Sequence, residues 1–369
     1  MYWRVGGRGG RLARANSPTI SDGSADFGGG IYADSGSSAD SGSSVTVSAS
    51  TLSGNSAFYG GGIYAYNYSS VTISASSLSG NSAFYGGGGI YASSYSSVTI
   101  IASTLSGNSA YSGGGICADS GSSVKVSAST LSGNSAYSGG GICAYISSVT
   151  VSVSTLSGNS ASNQGGGIYA DSSSSVTVSA STMSVNSASY QGGGIYAESG
   201  ISADYGCSVT VVNTIVAGNT ASYGPDVSNG VISRGHNLIR TTDGSGGWVA
   251  SDRTGTSSRP YEPLLAPLGN YGGPTQTLAL LPGSPAIDAG DSASAPATDQ
   301  RGISRVGAAD IGAFESRGFM VTVTNGDVQS TSVNTAFAAP LLVTVTSADG
   351  EPVMDGSVTF TPPVQIKAQ

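Results

Sequence analysis

The chain has 369 residues, 38% of them apolar and 9% charged, with 57 glycines and a net charge of −8, where soluble globular domains usually carry roughly 25% charged residues. Its 13 Lys and Arg are unevenly spread: between Ala15 and Ser233 the only one is Lys125, which excludes a surface that neutralises nucleic-acid phosphates and a polybasic stripe for anionic lipid. No run of 18 or more apolar residues occurs, so no helical membrane span is predicted.

Residues 1–16 hold Arg4, Arg8, Arg11 and Arg14 but no apolar stretch of the kind a secretory leader has. They are expected to be disordered or foreign to the fold. From residue 17 the chain becomes periodic. GGGIYA stands at 28–33 and its Ile returns at 63, 90, 116, 142, 168 and 195; a second block, SVTVSASTLSGNSA at 44–57, returns with its Asn at 55, 81, 108, 134, 159, 186 and 219. Self-similarity at such a period marks a solenoid, and it overrides the disordered low-complexity reading that so much Gly and Ser would otherwise invite.

Within each block apolar residues alternate with Ser and Thr, as in Val45, Thr46, Val47 and Ser48, which is the period of a strand. Aligned copies give inward columns: Ile31 to Ile195; Val45, Val71, Val98, Val124, Val149, Val176 and Val209; Leu52, Leu78, Leu105, Leu131, Leu156, Met183 and Val216. Three short strands per repeat, separated by Gly or Asn turns, fit one coil of a parallel β-helix over 17–240. A single coil cannot cover its own apolar face, so stability has to come from stacking.

Asn55, Asn81, Asn108, Asn134, Asn159, Asn186 and Asn219 form a column of turn residues, predicted to be a structural amide ladder. The triple glycines read as tight corners; with no Lys and no helix after them they do not make a phosphate loop. Two outward columns are candidate ligand-facing surfaces. One is a threonine row, Thr46, Thr72, Thr99, Thr150, Thr177 and Thr210, in which Lys125 takes one place; a flat hydroxyl array of this kind suits ice or glycan, although Thr is also a good strand former. The other is a tyrosine column, Tyr32, Tyr64, Tyr91, Tyr169 and Tyr196, with Tyr59, Tyr85, Tyr111, Tyr137 and Tyr190 beside the glycine corners; exposed aromatic rows suit sugar rings or partner proteins, while ladder stacking explains them structurally.

Cys117 and Cys143 take the tyrosine place in adjacent coils. In-register parallel side chains point alike and seldom reach the disulfide dihedral, so two stacked free thiols are predicted; Cys207 has no obvious partner. The acids Asp22, Asp26, Asp34, Asp40, Asp119, Asp171, Glu198 and Asp204 are scattered without a converging base, so no catalytic residue, metal site or cofactor is assigned. His236, the single histidine, is expected in a loop or packing role, since one imidazole alone is a poor metal site.

The paired signals GGGI and LSGN resemble the repeats of the polymorphic outer-membrane protein family and, more broadly, right-handed parallel β-helix proteins of the pectin-lyase-like class. GPDVSNGVISRGHNLI, 224–239, looks like an irregular last coil. PLLAPLGNYGGPTQTLALLPGSPAIDAGD, TDQRG and DIGAFE, within 263–315, are similar to the choice-of-anchor Q domain of bacterial surface proteins; that resemblance implies a surface or extracellular address and supplies no catalytic residue. There Asp288, Asp291, Asp299 and Asp310 accompany Arg301 and Arg305; internal Arg to Asp pairing is preferred over calcium. Val321 to Pro363 resembles the start of a bacterial immunoglobulin-like domain and stops at TPPVQIKAQ, so the chain reads as a fragment.

The expected fold is all-β: a right-handed parallel β-helix over 17–240, a small β-rich module over 241–316 and a partial Ig-like β-sandwich over 317–369. The expected function is non-enzymatic adhesin-like display on the cell surface or in the medium, with a glycan or cell-envelope polymer as partner. The alternatives are a polysaccharide lyase or hydrolase and an ice-binding surface.

Overall fold

The structure, a computed structural model, describes residues 3–6, 12–36, 42–171, 173–198, 206–332 and 334–361. Asp40, Asp204, Arg8, Arg11 and the last eight residues lie outside the described residues. What is described is a parallel β-helix with no α-helix.

Each coil contains four strands, one more than the repeat pattern predicted. In the third coil they are Ile63–Tyr66, Ser70–Ser74, Ser77–Ser79 and Ser82–Gly86. Every strand pairs in parallel with its copy in the next coil, Ile63 with Ile90, Val71 with Val98, Leu78 with Leu105 and Ser82 with Ser109. The strand missed from sequence is the SAFY or SAYS piece after the Asn turn. Its inward residue is a small Ala, such as Ala83, and its rings point out, so it lacks the large apolar alternation that marked the other three.

Seven four-strand coils run from Trp3–Phe27 to Ile168–Ala188 among the described residues. Trp3–Gly6 and Leu12–Asn16, expected to be disordered, lie in parallel beside Ile31–Asp34 and Ser44–Ser48; backbone pairing onto an open coil edge needs no repeat motif. Beyond Ala188 the fourth strand is lost. The other three columns continue through Val227–Gly230, Ile232–Ser233 and Leu238–Ile239, and two of them reach Ser245–Gly246 and Arg253–Thr254, past residue 240.

The predicted Ile, Val and Leu columns are the core. From Ile31 to Ile195, Val45 to Val209 and Leu52 to Val216 they are buried and form one continuous cluster. The Asn column is buried beside it. Asn81 donates from Nδ2 to Asn108 Oδ1 (2.9 Å) and to the Leu52 carbonyl (3.0 Å), and its backbone N–H reaches the same Asn108 oxygen (3.0 Å). The ladder ends on a carboxylate: Asn219 donates from Nδ2 and from its backbone N–H to Asp226 Oδ1. Burial pushes the Asp226 carboxyl up, against the hydrogen bonds from Asn219 and Thr241.

A second polar ladder runs beside the first, built from serines that the sequence pattern does not distinguish from their neighbours. Between the second and third strands the chain turns through a left-handed residue, Ala75 or Ala102 (φ 47° and 48°), and the buried serine after it bonds across coils. Ser76 N–H donates to Ser103 Oγ (3.1 Å), while Ser76 Oγ donates to the Ser74 carbonyl (2.7 Å). Two columns thus absorb the backbone groups that the corners would otherwise leave unpaired.

Residues 263–316 fold back along the helix instead of extending it. They lie on the outer face of the Leu strands, where Thr130, Thr155 and Thr182 are buried. Thr130 Oγ1 donates to the Gln276 carbonyl, Thr155 Oγ1 to Gln300 Oε1 (2.6 Å), and Ala313 N–H to Thr182 Oγ1 (3.0 Å). Further along, Ile215 and Leu238 replace threonine on that face and share a core with Leu280 and Phe314. Inside the module, Arg301 pairs with Asp299 (2.7 Å) and stacks on Phe314, and Arg305 pairs with Glu315 (2.7 Å). Among the four aspartates, Asp299 follows the expected Arg to Asp pairing. Asp288 and Asp310 meet through a backbone N–H, Asp310 meets Arg305 through its carbonyl, and Asp291 bonds Ser294. Further on, Met320–Asn325 and Leu342–Thr346 form a two-stranded antiparallel sheet. No second sheet faces it among the described residues, so the expected sandwich reduces to this pair.

Replacing Asn108 by Ala removes an acceptor that serves both the N–H and the amide of Asn81, and a donor to Leu78 and Asn134. The expected cost is roughly 2–4 kcal/mol, read by urea denaturation, and Asn108→Asp should fare no better because a carboxylate cannot donate. The module offers a pH test. Burial raises the Asp310 carboxyl from 3.8 to about 7. The folded state therefore binds the proton more tightly, and the stabilisation is full below about pH 4 and fades as pH rises to about 7. Unfolding followed from pH 4 to 8 should show this decline, and Asp310→Asn should lose that part of the slope.

Candidate functional site

On the outside of the Ile strands, the residue after Ile and the rings of the preceding fourth strand meet across the glycine corner. The corner needs glycine for two reasons. Gly60 sits at φ +65°, and a Cβ on Gly61 would lie 2.3 Å from the Ser82 carbonyl oxygen. With the corner so tight, the two aromatic rows overlap: Tyr59 lies 5.1 Å from Tyr91, and Tyr64 lies 5.2 Å from Tyr91, between ring centroids.

The column expected to face a ligand is therefore mostly the lower layer. Tyr64 and Tyr91 are 6% and 8% exposed and Tyr196 is also buried, while Tyr32 and Tyr169 are half-buried. Packing of the second row over the first is the cause. The exposed rings belong to that second row, with Tyr111 at 57% and Tyr137 at 44%, stacked 4.9 Å apart and nearly parallel.

The column is broken at one place. Cys117 and Cys143, in register with each other, stand between Tyr91 and Tyr169. Two thiols in place of two phenols leave a groove of about 440 Å³, walled by Tyr91, Tyr111, Tyr137, Tyr145, Asp119 and Asp171. Tyr91 OH donates to Asp119 Oδ2 (2.7 Å) and Tyr169 OH to Asp171 Oδ2 (2.8 Å). Tyr91 reaches into the next coil because its own coil has Ser93 at the acid position. Burial, reinforced by these carboxylates, pushes both phenols well above the usual tyrosine range, so they stay protonated as donors. The groove thus presents ring faces, hydroxyls and two carboxylates; among the described residues no Lys, Arg or His lines it. In the sequence Asp119 and Asp171 read only as scattered acids. The signal that places them is their recurrence three residues after the repeat Ile of their coils, Ile116 and Ile168.

The threonine row Thr46, Thr72, Thr99, Thr150 and Thr177 forms one straight, half-buried line, with Thr210 continuing it. Lys125 stands exposed between Thr99 and Thr150 in the same register. His236 Nδ1 donates to the Ala289 carbonyl (3.0 Å), joining the last coils to the module. Among the described residues, no three His, Cys, Asp or Glu side chains gather as metal ligands.

Residues 29–152 match the family described as right handed beta helix region, and residues 153–171 match the Chlamydia polymorphic membrane protein repeat. No curated protein and no solved structure gives a significant match. The handedness and the repeat type agree with the resemblance drawn from GGGI and LSGN; the choice-of-anchor Q resemblance is not among these matches.

All three cysteines are free in the structure. The thiol of Cys117 is pushed up by the Cys143 sulfur beside it and by burial, and burial raises Cys207 to about 11. Cys117 and Cys143 are both buried, so iodoacetamide at neutral pH should leave them unmodified in the native protein. After denaturation without reductant, mass measurement should count three alkylations; only one would mean a Cys117 to Cys143 disulfide.

Proposed function

We propose that this chain is a non-enzymatic surface-display protein that binds glycan in the tyrosine-lined groove above Cys117 and Cys143. The observation that carries this reading is the break in an otherwise filled aromatic column, which turns a stacked wall into a concave site. Its volume falls within the range of small-molecule pockets, ~300 to 1,000 Å³. Exposed phenol faces and convergent hydroxyl and carboxylate groups are what a sugar ring, apolar on its faces and polar at its rim, would meet. The repeat match supports a surface address, since it is a membrane protein repeat. The module over 263–316, with its choice-of-anchor Q resemblance, and the strands over 320–346, with their immunoglobulin-like pattern, suit an envelope-bound chain. Tyr, Ser and Thr recur in successive coils, so weak contacts to a polymer would add by multivalency.

Refilling the gap tests the idea. The double variant Cys117→Tyr, Cys143→Tyr restores the residue found in five other coils and should fold. On a glycan array, a ligand of the native chain should lose at least about tenfold in affinity with this variant, and a comparable amount with Tyr111→Ala plus Tyr137→Ala, the size expected for lost aromatic contacts. Tyr64→Ala should instead reduce stability and spare binding, because Tyr64 is buried away from the groove. Undiminished binding by the refilled variant would refute the groove as the site.

A further inference from the structure

The two carboxylates of the groove have a spacing as well as a charge. Asp119 and Asp171 occupy equivalent places two coils apart, each one residue beyond the Ala of its Ile strand, with Tyr145 at the same place in the coil between them. Coil spacing in a parallel sheet is about 4.8 Å, so the two acids repeat at roughly 9 to 10 Å along the helix axis. In an extended β-1,4-linked pyranose chain each unit is turned over relative to the last. Substituents on one side therefore recur every second unit, a distance close to this two-coil separation.

Charge then selects the substituent. An ionised carboxylate accepts hydrogen bonds and attracts cations. Asp119 receives Tyr91 OH and Ser120 Oγ, and Asp171 receives Tyr169 OH. Those donors fix the orientation of both acids against the groove wall. Among the described residues no cationic side chain lines the groove, and Lys125 is the single Lys or Arg in the sequence from Ala15 to Ser233. The surrounding field favours cations and repels polyanions.

On the glycan reading above, we propose that the groove accepts a β-1,4-linked chain of amino sugars with free ammonium groups, lying along the helix axis. Ammonium groups on alternate units meet Asp119 and Asp171, and the pyranose faces lie on the exposed Tyr111 and Tyr137 rings. Acidic polysaccharides, the usual cargo of a uronate-cleaving site, are excluded by the same two carboxylates.

Titration calorimetry on the full chain separates these claims, with glucosamine, N-acetylglucosamine and galacturonate oligomers of equal length as probes. The glucosamine oligomer should bind at least about tenfold tighter than its acetylated counterpart, as charge-assisted bonds imply, and the galacturonate oligomer should not bind. The preference should shrink as salt is raised. Asp119→Asn with Asp171→Asn should bring the glucosamine and N-acetylglucosamine oligomers to equal affinity. Equal affinity in the native chain, tighter galacturonate binding, or a preference that survives the double substitution would overturn the amino-sugar assignment while leaving glycan binding in place. Failure of all three probes to bind, together with a blank glycan array, would overturn both.

Discussion

Everything in this molecule depends on register between coils. A short strand flanked by corners cannot satisfy its own backbone, and neither can a buried Asn or Ser side chain at the corner. Each finds its partner one coil away, the side chains on the same residue (Asn81 on Asn108, Ser76 on Ser103) and the backbone on the same strand or corner (Gly62 N–H on the Gly88 carbonyl). A one-residue slip would move the Ile, Val and Leu columns to the outside and at once break both polar ladders. The repetition of sequence is thus a direct consequence of the bonding: a residue type that pairs with itself has to recur. Where repetition ends, another group has to take over, and Asp226 does so for the Asn column.

The same constraint explains why a small change of side chain becomes a site. In an ordinary core, shortening a residue lets the surroundings relax part of the way into the void. Here the backbone spacing above and below Cys117 and Cys143 is held by the strand pairs of four sheets, so the loss of two rings cannot be closed by collapse. Tyr91 and Tyr169 are held at the ends of the gap by Asp119 and Asp171. The floor and ends of the groove are therefore held in place, the preorganisation that would keep the entropic cost low for any ligand that entered.

Much of this was legible in the sequence. Period and alternation identified the solenoid, and the aligned Ile, Val, Leu and Asn positions became the buried columns. Three things were not. The fourth strand carries its large residues outward and only alanine inward, so hydropathy did not mark it. The serine ladder is chemically invisible in a Ser-rich repeat: nothing in composition separates buried Ser50 from half-buried Ser48. Burial of the tyrosine column depends on how two rows meet over a corner, and a linear pattern read as one outward column does not contain that angle. The gap at Cys117 and Cys143 was visible as a substitution, but its meaning as a groove required knowing which neighbouring rings stay.

The module over 263–316 shows how long-range packing can write itself faintly into a repeat. On the outer face of the Leu strands the side chain is Thr or Ser in the early coils and Ile215 and Leu238 in the late ones. Solvent would not select that drift; a covering layer would. The threonines at 130, 155 and 182 supply hydroxyls to the module, and the two apolar residues share its core with Phe314. One wall of the helix is thereby covered from the fourth complete GGGI coil onward. The aromatic groove and the threonine row lie on other walls, so the packing that secures the C-terminal part of the chain leaves Tyr111 and Tyr137 exposed.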